Sequence, residues 1–412
     1  MAKKPWFMLA CLLVTQVAVA FVGRSIGPLA PFIEESFHLS KAQIGLLPAA
    51  LFIGQSIVAL PAGWLADRWG TRKMLFILTI LLSSSFFIVS ITPWFYLSLF
   101  FIVLGGLGYG SMHPTSNRGV VNWFPIHLSG TAMGIKQMGV TGGSALAGIL
   151  LIPVAMAVNW RLAVICSASF LLCAGLISFC FYRDPHVPKK EKPVQPKFGA
   201  AFSRLITHKP LVAVSIAAMG LTSVQLSLTT YIVIYISSSL YYPLIIAGSF
   251  LALSEIGGSA GRVIWGIVSD RFFRGERSPV LIIIASITAV CSLAVAGLPP
   301  KASLWILVPL IFLFGFCISG FNGIWMNFAS ESVPREVSGM GSGFSLAIGS
   351  LGVVLGPPSF GWIVDKTGSF SAAWIFSAVE MLVVIGLLVW AERLRKSQQM
   401  DQVLSTYVKE EI

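Results

Sequence analysis

The run Gly63-Trp64-Leu65-Ala66-Asp67-Arg68-Trp69-Gly70-Thr71-Arg72-Lys73 ties together two strongly apolar stretches of a 412-residue chain. A weaker copy, Gly266-Ile267-Val268-Ser269-Asp270-Arg271, keeps Gly, Asp and Arg at the same relative places in the second half. Downstream, Pro125, Ser129, Gly130 and Gly134 correspond to Pro334, Ser338, Gly339 and Gly343. Punctuation repeated in this way predicts two parallel halves of about six membrane helices each.

Composition points to the same solvent. With 56% hydrophobic and 11% charged residues, no soluble surface would cover the apolar side chains. Stretches of roughly 20 apolar residues recur about twelve times, each long enough to cross a hydrocarbon core of about 30 Å. The net charge of +12 is not a nucleic-acid signal, because Lys and Arg concentrate in alternate connections. They cluster at Lys3 and Lys4, at Arg68 to Lys73, across 183–209, at Arg271 to Arg277, and at Arg393 to Lys396. That asymmetry predicts a multi-pass protein of the cell membrane with both termini in the cytoplasm. The N-terminal apolar run is interrupted by Arg24 and Pro28 and reads as the first spanning helix rather than a cleaved signal.

The expected organisation is an all-α membrane fold: a six-helix bundle over 1–182, an extended Pro- and Lys-rich cytoplasmic linker over 183–209, a second bundle over 210–391, and a polar tail over 392–412. Helix one is expected over 6–33, helix two over 42–61, helix ten over 305–330, and helix twelve to about 390. Six cysteines lie inside apolar segments, Cys166, Cys173 and Cys180 at every seventh position, and read as small buried hydrophobes. No metal-ligand cluster or nucleophile–base pair emerges, so neither a cofactor nor an enzyme activity is expected.

Gly-x-x-x-Asp-Arg-x-Gly-x-Arg-Lys, placed after the second apolar segment and echoed after the eighth, resembles the signature loop of the major facilitator superfamily. The resemblance implies twelve helices in two pseudo-symmetric bundles, working as a monomer by alternating access. It also implies that Gly63, Asp67, Arg68, Gly70 and Arg72, with Asp270 and Arg271, latch the inner gate. The segment from Arg24 to Leu47 resembles the entry segment of the anion:cation symporter branch, which moves organic anions. That branch usually has Asp before this Arg; here the residue is Gly23. Asn122-Trp123-Phe124-Pro125 resembles the turn after helix four in the same branch and in nitrate carriers. Arg262, four residues before Gly266, resembles the substrate-binding arginine of monocarboxylate, oxalate and nitrate carriers. Gly139-Val140-Thr141-Gly142 lacks the Gly-Pro of the drug-exporting antiporters.

Charged and polar residues inside spans are expensive and therefore mark function. Arg24 is expected at a cavity rather than at a surface, and Arg262 either at an anion or paired with Glu255. Lys136 either snorkels to the cytoplasm or offers a second cation. Tyr109, His113 and Ser116 or Asn117 share a helical stripe; His113 is read equally as a packing residue and as a substrate or proton contact. Gln225, Tyr231 and Asn322 are expected along a hydrated wall. Glu255 and His113 are the candidate proton partners, and Glu380 has no assigned role. Together these residues describe secondary transport of a small organic anion (a mono- or dicarboxylate or sugar acid), coupled to protons or another ion. An exporter of drugs or organic cations, and a non-transporting sensor on a carrier scaffold, are the alternatives.

Overall fold

In a bilayer every backbone N–H and C=O must find its partner inside the chain, so long apolar segments become helices. The computed structural model describes residues 3–185, 203, 205–333 and 338–410. Within them twelve spans are long and apolar enough to cross a membrane. Helices α1 (Lys3–Gly23) and α2 (Ile26–Phe37) form the first span. The next six are α3 (Lys41–Trp69), α4 (Thr71–Ile91), α5 (Phe95–Trp123), α6 (Ile126–Ala157), α7 (Trp160–Phe181) and α8 (Lys209–Ser238). After α9 (Leu244–Arg271) and α10 (Ser278–Ala296), helices α11 (Leu304–Ile318) and α12 (Asn322–Glu331) share the tenth span. Then come α13 (Ser338–Thr367) and α14 (Phe370–Glu410).

Several expectations need correction. The first and tenth spans are each broken, at Arg24-Ser25 and at Ser319-Gly320-Phe321. At the first break Ser25 N–H donates to the Val22 carbonyl at 3.1 Å and its hydroxyl to the same oxygen at 2.7 Å, which tightens the last turn of α1. Helix α3 continues through Pro48 and Pro61 to Trp69, and α14 continues helically past the expected end to Glu410. Cys11, Cys291 and Cys317 are buried, but Cys166, Cys173 and Cys180 are exposed, because α7 turns that stripe outward. Most of the linker, 186–202, lies outside the described residues.

Helices α1 to α7 pack on one another, as do α8 to α14, and the two halves meet where α3 contacts α13, α6 contacts α9, and α2 contacts α8. The far face, opposite the termini, is closed. There the α3 N-terminus is held from the other half: Lys41 N–H and Ala42 N–H donate to the two Asp365 carboxylate oxygens, both at 2.8 Å. The Tyr231 hydroxyl lies 2.6 Å from the Lys41 carbonyl and 2.8 Å from that of Pro357, and its ring stacks on Phe360 at 4.9 Å. Lys41 also pairs with Glu34. Deeper in, α6 and α9 cross closely, since a Cβ at Gly148 would stand 2.8 Å from the Gly248 carbonyl oxygen.

At the termini face the same helices part. A Cβ at Gly63, Gly134, Gly266 or Gly343 would meet nothing within 4 Å. The polar contacts that follow each lie within one half. Thr71 N–H and Arg72 N–H donate to Asp184 at 3.0 and 3.1 Å, a carboxylate at a helix N-terminus. Arg72 Nε donates to the Phe179 carbonyl at 2.7 Å, and Arg68 lies over Trp64 at 5.5 Å. In the second half Arg277 bridges Asp270 at 2.6 Å and Glu331 at 3.2 Å, while Arg271 is exposed. Gly70 takes φ of 84° between α3 and α4, a backbone state that favours glycine. The Asp67 side chain lies outside the described residues.

The Asp365 clasp predicts a shift in the balance between open and closed far faces. Charge-assisted hydrogen bonds are each worth about 1.5–3 kcal/mol, so loss of the two in Asp365→Ala should raise the far-face-open population on the order of 100-fold or more. In a cysteine-free background carrying Thr230→Cys, an impermeant maleimide added at the far face should label the Asp365→Ala variant correspondingly faster. Unchanged labelling would remove the clasp from the closing mechanism.

Candidate functional site

The break between α1 and α2 puts Arg24 where two helix ends meet. Its Nε and Nη1 are buried and have no hydrogen-bond partner. The guanidinium lies over the Phe52 ring at 5.7 Å, and Phe52 in turn stands 5.8 Å from Tyr109. Tyr109 fills the space beside Gly23, where a Cβ would run into the Tyr109 ring. The absent side chain at position 23 is thus what lets an aromatic ring reach the arginine. Arg24, Gly23, Gly27, Phe52, Ser144 and Thr229 are among the residues lining a pocket at this level.

Below the pocket, toward the termini face, α6 and α9 are joined across the halves by a polar ladder. Ser144 donates to Glu255 at 3.0 Å, the hydroxyls of Ser259 and Thr141 meet at 2.5 Å, and Arg262 Nη1 donates to the Gln137 carbonyl at 3.2 Å. The spacing follows from two antiparallel helices, each presenting a residue every three or four positions. Glu255, only 4% exposed, lies in the electrostatic field of both Arg24 and Arg262. Among the described residues no ion pair joins it to either arginine.

Arg262 makes a second bond, Nε to the Ser319 carbonyl at 3.1 Å, at the break in the tenth span. Asn322 Nδ2 approaches the same carbonyl at 3.4 Å. A carbonyl freed by a helix break is a ready acceptor, and here it is shared by two of the expected site residues. Lys136 is fully buried and its Nζ donates to Asn117 Oδ1 at 2.6 Å, which excludes snorkelling to the surface. His113 lies one turn from Asn117 on α5 and in the field of Lys136, Arg262 and Arg24.

The structure therefore gathers Arg24, Tyr109, His113, Lys136, Glu255, Arg262 and Asn322 around one axis between the halves. Two expected wall residues stand elsewhere. Tyr231 belongs to the far-face clasp, where its hydroxyl is taken up by two backbone carbonyls. Gln225 is buried, and α8 lines the pocket with Leu226, Thr229 and Thr230 instead. Asn117, Ser144 and Ser259 carry more of the site than the sequence assigned them. Ser116, the other choice at the Asn117 turn, bonds back to the Met112 carbonyl at 2.7 Å and leaves the stripe to Asn117.

A family model described as Major Facilitator Superfamily matches residues 12–357 and 274–404. The hexuronate transporter of Bacillus subtilis is 24% identical over 361 residues, 84% of this chain and 85% of the relative. The probable galactarate/D-glucarate transporter GudP of the same organism is 24% identical over 386 residues, 86% of this chain and 84% of the relative. Among solved structures, the nucleoside transporter NupG superposes with a TM-score of 0.78 at 15% identity, covering 93% of this chain and 99% of the other. Its fold, its repeated signature loop and the family match agree: the chain belongs to the Major Facilitator Superfamily, a family of multi-pass membrane transporters.

Proposed function

We propose that the protein carries small organic acids across the cell membrane by alternating access, with its termini and signature loops on the cytoplasmic side. The observation that carries this reading is the Arg24 guanidinium, with two N–H-bearing nitrogens buried and unpartnered at a pocket. An unpaired buried charge costs about 3–5 kcal/mol, and the planar fork of arginine matches a carboxylate in geometry as well as charge. Relatives named for hexuronate and for galactarate and glucarate support the same substrate class. A carrier of organic cations would call for an acidic cavity, whereas here Arg24 and Arg262 share one carboxyl group, Glu255, and Lys136 is bonded to a neutral amide.

The residues also give a route for coupling substrate to motion. Arg262 of the second half holds the Gln137 carbonyl of the first. A carboxylate that draws this guanidinium away removes a bond between the halves, so loaded and empty carriers differ in the cost of separating α6 from α9. Glu255 sits in the same ladder on the Ser144 hydroxyl. Exchange of a proton on its carboxyl would change that contact together with the field on both arginines, which makes it the coupling group, with His113 as the neighbouring alternative carrier. The molecule needs no second copy to complete this site and works as a monomer.

Uptake of labelled galacturonate and glucarate into proteoliposomes with an imposed pH gradient tests the reading. The wild-type protein should accumulate at least one acid, while Arg24→Ala and Arg262→Ala each reduce uptake by about 100-fold or more, in line with losing a buried charge contact of about 3 kcal/mol. Normal uptake by Arg24→Ala would overturn the assignment, and binding without accumulation would identify a sensor. Glu255→Gln should still exchange substrate across the membrane but lose accumulation driven by the gradient. Full gradient-driven accumulation in that variant would take the coupling role from Glu255.

A further inference from the structure

Two levels of positive charge can be traced along the axis. The upper one is Arg24, beside Tyr109 of α5 and in the field of Glu255, which is held by Ser144 of α6. The lower one is Lys136, bonded to Asn117 of α5, with Arg262 bonded to the adjacent Gln137 carbonyl. Both helices give the same offset between levels. From Tyr109 to Asn117 on α5, and from Ser144 to Lys136 on α6, is eight residues, or about 12 Å of helical rise.

Glu255 acts on Arg24 and on Arg262, and among the described residues none of the three cations forms an ion pair. Lys136, although fully buried, has a neutral amide oxygen as its hydrogen-bonded partner. Buried charges are ordinarily paired, so an anion that reaches only Arg24 leaves Lys136 without a counter-charge and leaves one carboxyl, Glu255, to serve both arginines.

The geometry points to a second anion subsite, formed by Lys136, Arg262, Asn117 and His113, that takes the far acid group of a two-ended organic acid whose near end is held by Arg24. This rests on the organic-acid reading above and narrows it to dianions. Charge-assisted hydrogen bonds of about 2.8 Å at each end leave on the order of 6 Å between the acid groups, the span of a diacid of about four to six carbons. His113 lies between Tyr109 and Asn117 on the same stripe of α5, in the field of Lys136, Arg262 and Arg24. A monoacid of equal length places its uncharged end at the lower cations and gains nothing from them.

Matched pairs of acids separate the two subsites. Affinities of the purified full-length protein are measured by calorimetry for glucarate against gluconate and for adipate against hexanoate. The wild-type protein should bind the diacid of at least one pair 10-fold or more tightly than its monoacid partner. Lys136→Met should bring that ratio near one, and Lys136→Arg should keep most of it. Equal affinity for both members of each pair in the wild type would overturn the second subsite while leaving the organic-acid reading in place, and needs no variant. An unchanged ratio in Lys136→Met would overturn it as well. Failure of all four acids to bind overturns both readings together.

Discussion

A guanidinium ion cannot lie dry and unpartnered inside a membrane protein without cost, and the structure around Arg24 is organised by that constraint. The helix of the first span is interrupted at Arg24-Ser25, so the charge emerges between two helix ends instead of on a lipid-facing surface. Gly23 leaves room for Tyr109, and Phe52 offers its ring face, an interaction worth about 2 kcal/mol when desolvated. Tyr109, within hydrogen-bonding reach of the guanidinium, and Phe52 soften the burial of the charge but leave Nε and Nη1 without a partner.

The far face is sealed by contacts between the halves. A charged pocket reached from both faces at once would be a continuous polar path through the apolar layer. Asp365 at the α3 N-terminus, Tyr231 between two carbonyls and the Gly148–Gly248 crossing close one side, while open space beside Gly63, Gly134, Gly266 and Gly343 lies on the other. Between them the α6–α9 ladder is built from single hydrogen bonds rather than ion pairs. The hydroxyl pair is worth about 0.5–1.5 kcal/mol and each of the two bonds that involve a charged group about 1.5–3 kcal/mol.

The repeat, the twelve spans and the intramembrane charges were all legible from the sequence, because charge is rare in apolar segments and the two signature loops keep Gly, Asp and Arg at the same spacing. Arg24, Glu255, Arg262 and Lys136 could be named for this reason. Partners were harder to read, since a hydroxyl or amide in a helix can turn back to its own carbonyls or reach across. Ser116 does the first and Asn117 the second, with nothing in their spacing to separate them. Tyr231 was misread because the position of α8 relative to α3 and α13 depends on how the halves close. Asp365 and Asp184 drew no notice for a similar reason: a carboxylate that caps a helix distant in sequence looks like an ordinary loop charge. The outward stripe of Cys166, Cys173 and Cys180 shows that heptad spacing defines a face but not its direction.

An experimental structure of the protein with a bound organic acid tests the central claim most directly. The account predicts a carboxylate at hydrogen-bonding distance, about 2.7–2.9 Å, from Arg24 Nε or Nη1. An acid lodged elsewhere, with those two nitrogens still unpartnered in the loaded state, would contradict it.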